Sequence, residues 1–467
     1  MLIRPARRLL IAILFAVVAF GGWVGGLSPA LDRTIGTPGR VDVANVAAQE
    51  PTPAASGPSA QPSLAVLPPG TADGGPGTSG PPASPVAAPS GSPVVQGPNP
   101  ALEAVLDAHL RQWLAKTGTP GVSVSITFAD GTTWNGTAGL ADVKTRRVVT
   151  PDTAFPVASV SKTFTSALIL DLVADGTLAL DASALSYIPS LPIDKRITIR
   201  ELLDHTSGLR DFFLDPKIDK ALQADKSRTW DPAMSFRYIG TPLGTPGTIW
   251  HYSNTNYLIL GMIAEAVGGA PVADQLRTRF FGPLGLDQTW YQAVEAPRAS
   301  LATAYRLSST SLSAKPISLS DGSGVAPFTS VITAAGAAGS IASTANDLAR
   351  WARALYGGDA LTPVARTLLL GSVSQTARLH PQIPYGYAMQ SFTIAGQPTL
   401  GHSGRYLGAR SAIRWLPRQQ IAIAVLTNQS RADPGVLVAD LLKVLFPQKP
   451  ASTATASQAA STASSLP

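Results

Sequence analysis

Hydrophobic positions divide this chain into three regimes. An unbroken apolar run from Leu9 to Leu27 follows Arg4, Arg7 and Arg8. A long aperiodic stretch comes next. From about residue 101 to 447 apolar residues then recur at helical or alternating spacing. "ALEAVLDAHLRQWLAKTG" keeps helical spacing and stops on a glycine, which predicts a helix. "GVSVSITFADGTTWNGTAG" is two alternating runs about an Asp-Gly turn, which predicts a hairpin. "SKTFTSALILDLVADG", "RITIRELLDH", "TNYLILGMIAEAVGG" and "ANDLARWARALYGG" read as helices, so the middle is mainly helical. Near the end "SAIRWLPRQQIAIAVLTN" reads as two strands around a turn and "DPGVLVADLLKVLF" as a closing helix. Strands at both ends with helices between them predict an α/β fold. Its antiparallel sheet is formed from both ends of the domain and flanked by terminal helices, with a mainly helical subdomain inserted.

Composition sets the boundaries. Residues 51–100 hold fourteen of the 40 prolines and no aromatic residue, and no Lys or Arg occurs between Arg40 and Arg111. Such a segment buries too little apolar surface to offset its ordering entropy, so residues 31–100 read as a Pro/Gly/Ser-rich disordered tether. Residues 448–467 read as a low-complexity tail, leaving one globular domain over 101–447. The basic start and apolar run make residues 1–30 an export signal. It is either a signal-anchor crossing the membrane through residues 9–27 or a cleaved signal peptide, and both place the domain outside the cytoplasm. The net charge of +7 and pI near 9.6 come without a dense Lys/Arg stripe interleaved with aromatics, so no nucleic acid partner is expected. The absence of cysteine removes disulfides, thiol nucleophiles and thiolate metal sites.

The chemistry concentrates at "PVASVSKTF". A spacing of three puts Ser159 and Lys162 on one helical face, about 5–6 Å apart at Cβ, whereas Ser161 faces elsewhere. No Asp or Glu lies between Pro156 and Leu170 to hold Lys162 as an ordinary ion pair. A serine hydroxyl needs a base to become a nucleophile, and a lysine serves when burial lowers its pKa. "HYSNTNY" places Tyr252, Ser253 and Asn254 just before an apolar helix. The phenol can relay a proton, and the amide can orient the lysine and bind a substrate carbonyl. "GHSGRYLG" places His402, Ser403 and Gly404 where a strand is expected, small enough for a substrate backbone to lie close. His109, His251 and His380 lack metal-ligand spacing, so no metal and no cofactor is assigned. No G-x-S-x-G elbow, Walker A loop or G-x-G-x-x-G is present.

Taken together and in this order, these motifs resemble the serine β-lactamase and penicillin-binding-protein superfamily, in particular its class C β-lactamase-like DD-peptidase branch. "LLDHTSGL", "FFGPLGLDQT" and "GSIASTANDLARWARAL" extend the resemblance over most of residues 101–445. The resemblance implies that Ser159 is acylated, that Lys162 is its base and that Tyr252 is a second proton carrier. It implies substrate-binding roles for Asn254, His402, Ser403, Gly404 and Arg405, the backbone N–H of Arg405 joining that of Ser159 in an oxyanion hole. His205 reads as part of a loop that buttresses the site. His402 stands where true class C β-lactamases carry lysine, which points to a D-alanyl-D-alanine carboxypeptidase-like or D-amino-acid peptidase. The expected substrates are peptides or esters, such as peptidoglycan stem peptides or β-lactams. An esterase or weak β-lactamase on the same residues, and a non-catalytic wall-binding or regulatory module, are the alternatives.

Overall fold

The structure is a computed structural model and describes residues 97–447 other than 310, 313, 378 and 381–383. The expected signal, most of the tether and the tail lie outside the described residues. No single helix among the described residues is long and apolar enough to cross a membrane.

The chain enters through α1 (Pro100–Thr117). Asn99 caps it by accepting the Leu102 N–H at 3.0 Å, and Gly118 ends it in a left-handed conformation. The hairpin follows as β1 (Gly121–Thr127) and β2 (Thr133–Asp142), and β3 (Arg147–Val148) adds a short edge. The rest of the sheet comes from the far end of the domain: β4 (Gln390–Ile394), β5 (Gln397–Tyr406), β6 (Ala409–Leu416) and β7 (Ile421–Thr427). The order is β4-β5-β6-β7-β1-β2-β3, and every neighbour runs antiparallel. The two ends of the domain meet where Val122 of β1 pairs with Thr427 of β7. This is the expected sheet.

One face of the sheet is sealed by α1 and by α4 (Pro434–Leu445). Leu106, Leu110 and Trp113 pack with Val122, Val124, Ile126, Leu437 and Leu441. The other face meets the inserted helical region, including α2 (Ser161–Ala174) and α3 (Asn254–Gly268). The alternation in β1 predicts one wet face, yet Ser123 and Ser125 are as buried as the valines. A central strand between two layers has no wet face, and the helix Ala345–Ala352 packs over those small side chains. The inserted region also contains short strands that its mainly helical pattern did not predict. Trp290–Tyr291, Ile341–Ser343, Thr153–Pro156 and Ser300–Leu301 form a second small sheet. Two- to four-residue strands are too short to express a period. This small sheet matters for the site, because Thr153–Pro156 delivers the chain directly to Ser159.

Candidate active site

Ser159 sits in a single tight turn, Ala158–Val160, at the foot of α2. Ala158 just before it has φ +50°, an unfavourable region for a side chain bearing Cβ. This bend turns the chain from the strand into α2 and leaves the serine half-buried while its neighbours are sealed. α2 is buried without a break from Ser161 to Leu170, its polar side chains included. Ser161 is not a nucleophile: it is 1% exposed, and its Oγ accepts the Ile341 N–H at 3.1 Å.

Lys162 is fully buried. Its Nζ donates to Asn254 Oδ1 at 2.7 Å, to the Ala338 carbonyl at 2.8 Å and to Ser159 Oγ at 3.2 Å. Burial brings its pKa down to about 7, with the Asp211 carboxylate pulling the other way. A neutral amine keeps two hydrogens, and the two short bonds use both. The third direction, toward Ser159 Oγ, then holds the lone pair. Removing one proton from this arrangement makes it a general base aimed at the serine.

Asp211 is the group that motif reading missed. It is 2% exposed, and its Oδ2 accepts from Asn254 Nδ2 at 2.6 Å while Oδ1 accepts the Phe213 N–H at 3.0 Å. Burial raises its pKa to about 6. Asn254 therefore lies between a carboxylate and the lysine, one end of its amide on each. Its carbonyl oxygen is taken by Lys162 and is not available for a substrate. The loop that carries Asp211 is stitched to the start of α3. Ser207 Oγ donates to Asn256 Oδ1 at 2.7 Å, and Thr255 Oγ1 donates to the Arg210 carbonyl at 2.7 Å. In sequence, "GLRDF" offered only a residue type that caps turns, and Asp211 does cap the turn Phe212–Leu214. Nothing local marks its second role.

Tyr252 is 7% exposed, and Lys162 Nζ stands 5.1 Å from its ring centroid. Burial holds its phenol well above the usual range, with a hydrogen bond to Ser159 opposing. It is a protonated phenol, a donor rather than a base.

His402 departs from its expected substrate-binding role. It is 1% exposed, and burial together with the Lys162 charge lowers its pKa to about 3. Both ring nitrogens are occupied by protein. The Ser253 N–H can only donate, so His205 Nδ1, 3.1 Å away, must accept. His205 Nε2–H then donates to Tyr385 Oη at 3.2 Å, and Tyr385 O–H donates to His402 Nε2 at 2.9 Å. His402 Nδ1–H is left to donate to the Ser403 carbonyl at 2.7 Å. His402 thus positions β5 and does not present a charge. Burial keeps His205 neutral as well, in the buttressing place expected for it. Tyr385, in "PYGYAMQ", carried no sequence signal.

A Cβ on Gly404 would sit 2.2 Å from the Val157 carbonyl and 2.3 Å from Ser411 Oγ, so only glycine lets β5 reach the backbone at Ser159. β4 pairs with β5 only as far as Gly401, and no described strand pairs with the outer edge of residues 402–406. Ser403 Oγ accepts from Arg414 Nη2 at 2.8 Å and donates to Gln390 Oε1 at 3.3 Å. Arg405 is half-buried, next along the same edge.

Fold and site together are those of a serine hydrolase. The chain belongs to the beta-lactamase family, whose profile matches residues 106–445. It is 29% identical over 331 residues to penicillin-binding protein 4 of Amycolatopsis lactamdurans, covering 66% of this chain and 81% of that protein. It is 30% identical over 316 residues to the D-aminopeptidase of Brucella anthropi, covering 66% of this chain but only 56% of that protein. Among solved structures, a D-stereospecific amidohydrolase from Streptomyces sp. superposes with a TM-score of 0.62 at 26% identity, covering 75% of this chain and 99% of the other. D-amino acid amidase from Ochrobactrum anthropi SV3, complexed with D-phenylalanine, gives 0.60 at 25%, covering 74% and 98%.

Proposed function

We propose that the chain hydrolyses amide or peptide bonds at D-amino-acid residues through an acyl-enzyme on Ser159. The carrying observation is the three-way environment of Lys162 Nζ, which leaves its lone pair on Ser159 Oγ once the amine is neutral. In this reading Lys162 takes the serine proton as Oγ attacks the carbonyl carbon. The tetrahedral oxyanion sits against the backbone N–H groups of Ser159 and Arg405. The Tyr252 phenol, kept protonated by burial, gives its proton to the departing amine and regains one through Lys162. Water then attacks the ester, with the same groups returning the proton to Ser159. The substrate's backbone lies along the open edge of β5, and the second Nδ2 hydrogen of Asn254 is the side-chain donor it meets. The D-preference is supported by the D-aminopeptidase and D-amidohydrolase relatives. The neutral His402, where a β-lactamase of class C type carries lysine, favours peptide or amide substrates over antibiotics.

Turnover of D-phenylalanine amide and L-phenylalanine amide by residues 97–447 tests this. A D-over-L preference in kcat/KM of a hundredfold or more is expected, and equal rates or hydrolysis of p-nitrophenyl butyrate alone would refute it. We also propose that the domain works outside the cytoplasm, held by the apolar run 9–27 on the proline-rich tether. The mass of the mature N-terminus and cell fractionation test that placement, and recovery of the full chain in the cytosol would refute it.

A further inference from the structure

The sheet face turned away from Ser159 carries a cationic cavity that the mechanism does not use. Successive side chains on a strand point to opposite faces. Gly404 faces the Ser159 backbone, so Arg405 points to the other face, the one that α4 covers. Directly opposite it across the β5–β6 pair stands Arg410, a like-charge arrangement that costs stability. Asp433, which caps α4, goes to Arg410 at 3.4 Å. The cavity beside them holds about 230 Å³, and no residue in its wall is a carboxylate. Arg405 meets two more arginines there: Arg306, from the short strand Tyr305–Leu307, and Arg431, from the loop after β7. None of the three takes part in an ion pair among the described residues. Burial and the Arg410 charge both push the Arg405 pKa down, against the pull of Asp433. A half-buried guanidinium set against a second one, with the nearby acid already engaged, is costly to the fold until an anion joins it.

The three arginines are held in place before any ligand arrives. Arg431 donates to the Thr117 and Ser311 carbonyls at 2.8 and 2.9 Å. The strand that carries Arg306 is tied to the end of β7, where the Tyr305 N–H donates to the Asn428 carbonyl at 3.0 Å. Arg405 sits within the paired part of β5. Three fixed positive charges around one hollow call for more than one negative charge. A carboxylate brings a single charge and two oxygens in one plane. A phosphate monoester brings roughly −1.5 to −2 at neutral pH and three acceptor oxygens spread in space, and guanidinium forks from separate elements match that geometry. We propose that Arg306, Arg405 and Arg431 form a phosphate-binding site on the far face of the sheet, separate from the substrate cleft. The group it takes is the phosphate of a small ion or monoester, or that of a lipid headgroup; both present the same oxygens to the arginines. The site stands independently of the hydrolase reading, because it needs nothing from Ser159.

Calorimetric titration of the full chain in neutral detergent tests the site. The probes are inorganic phosphate, glycerol 3-phosphate and glycerophosphoglycerol, with succinate as a dicarboxylate control, all at one low ionic strength. Inorganic phosphate or its monoester is expected to bind at least tenfold more tightly than succinate, and more weakly as salt is added. Glycerophosphoglycerol binding as tightly as the monoester identifies the lipid-headgroup source, and binding no tighter than succinate identifies the small ion or monoester; both support the site. The Arg306→Gln/Arg405→Met variant should bind phosphate no better than succinate, and Arg306→Lys/Arg405→Lys should keep most of the affinity. Thermal melts give a second reading. Arg405→Met keeps the apolar stem and removes the charge, so in phosphate-free buffer it should melt above wild type, and added phosphate should raise the wild-type midpoint alone. Succinate binding as tightly as phosphate, or phosphate binding that survives Arg306→Gln/Arg405→Met, would overturn the proposal. So would Arg405→Met melting below wild type without phosphate, because the charge would then be satisfied within the fold. Competition between phosphate and D-phenylalanine amide would place the anion in the substrate cleft and overturn the separate site.

Discussion

Asp211→Asn probes the part of the site that sequence did not reveal. Nζ of Lys162 is 2.7 Å from Asn254 Oδ1, and Asn254 Nδ2 is 2.6 Å from Asp211 Oδ2, so the two charges stand about 7 Å apart across one amide. At an effective dielectric of about 20 their attraction is about 2.4 kcal/mol, or about 1.7 pKa units on the lysine. The carboxylate favours the ammonium. Removing it therefore lowers the lysine pKa below its present value of about 7 and lets the base work at lower pH. The assay is kcat/KM for D-phenylalanine amide from pH 4.5 to 9. Wild type should show an acid limb near pH 7, blurred by Asp211 titrating near 6, since the coupled pair gives up its protons in two macroscopic steps. The variant should show a single-proton limb one to two pH units lower. Its plateau should fall about tenfold, because the Asn254 amide loses its charged anchor. A limb that stays in place, or moves to higher pH, would refute the electrostatic account of Lys162. An unchanged plateau would refute the positioning role of Asn254.

Four further outcomes follow. Ser159→Ala and Lys162→Ala should each cost 10⁴-fold or more in kcat, and the double variant should cost little beyond either, because the two act as one unit. Lys162→Met tests its burial through stability. The folded pKa of about 7 lies below the unfolded value of 10.5, so the native lysine costs the fold about 5 kcal/mol below pH 7 and progressively less up to 10.5. Urea melts should show Lys162→Met losing its advantage over wild type by roughly 1.4 kcal/mol per pH unit between 7 and 10, and a pH-independent difference would contradict the shift. Gly404→Ala should destabilise the domain by about 1–3 kcal/mol by overpacking and cut kcat a hundredfold, since the Cβ drives β5 off the Val157 carbonyl; wild-type activity would contradict that contact. Long-range ¹⁵N correlation spectra should show His402 neutral with its proton on Nδ1 down to pH 4, and an imidazolium at pH 6 would overturn its positioning role.

Much of this was legible in the sequence because the signals were local. Helical spacing alone selected Ser159 over Ser161, and the structure gives Ser161 a backbone amide to accept from. The hairpin, the closing strands and the two terminal helices each carried a full period. Asp211 was not legible because its partner Asn254 lies 43 positions away, and within its own loop it reads as a turn cap. Tyr385 and Ala338 entered the site only through folding, one as a link between two histidines and the other as a carbonyl, which sequence cannot flag. His402 was legible as a motif but not as a state. Whether a histidine faces substrate or is buried neutral between a phenol and a carbonyl depends on packing across β5.

The most direct measurement is mass mapping of a covalent adduct after incubation with a fluorophosphonate or a fluorescent penicillin between pH 6 and 10. A single adduct is expected on the peptide containing Ser159. It should form faster as pH rises through about 7, be lost in Ser159→Ala and form at least a hundredfold more slowly in Lys162→Ala. No adduct at any pH, or an adduct on another residue that persists in Ser159→Ala, would contradict the assignment of Ser159 as nucleophile and Lys162 as its base.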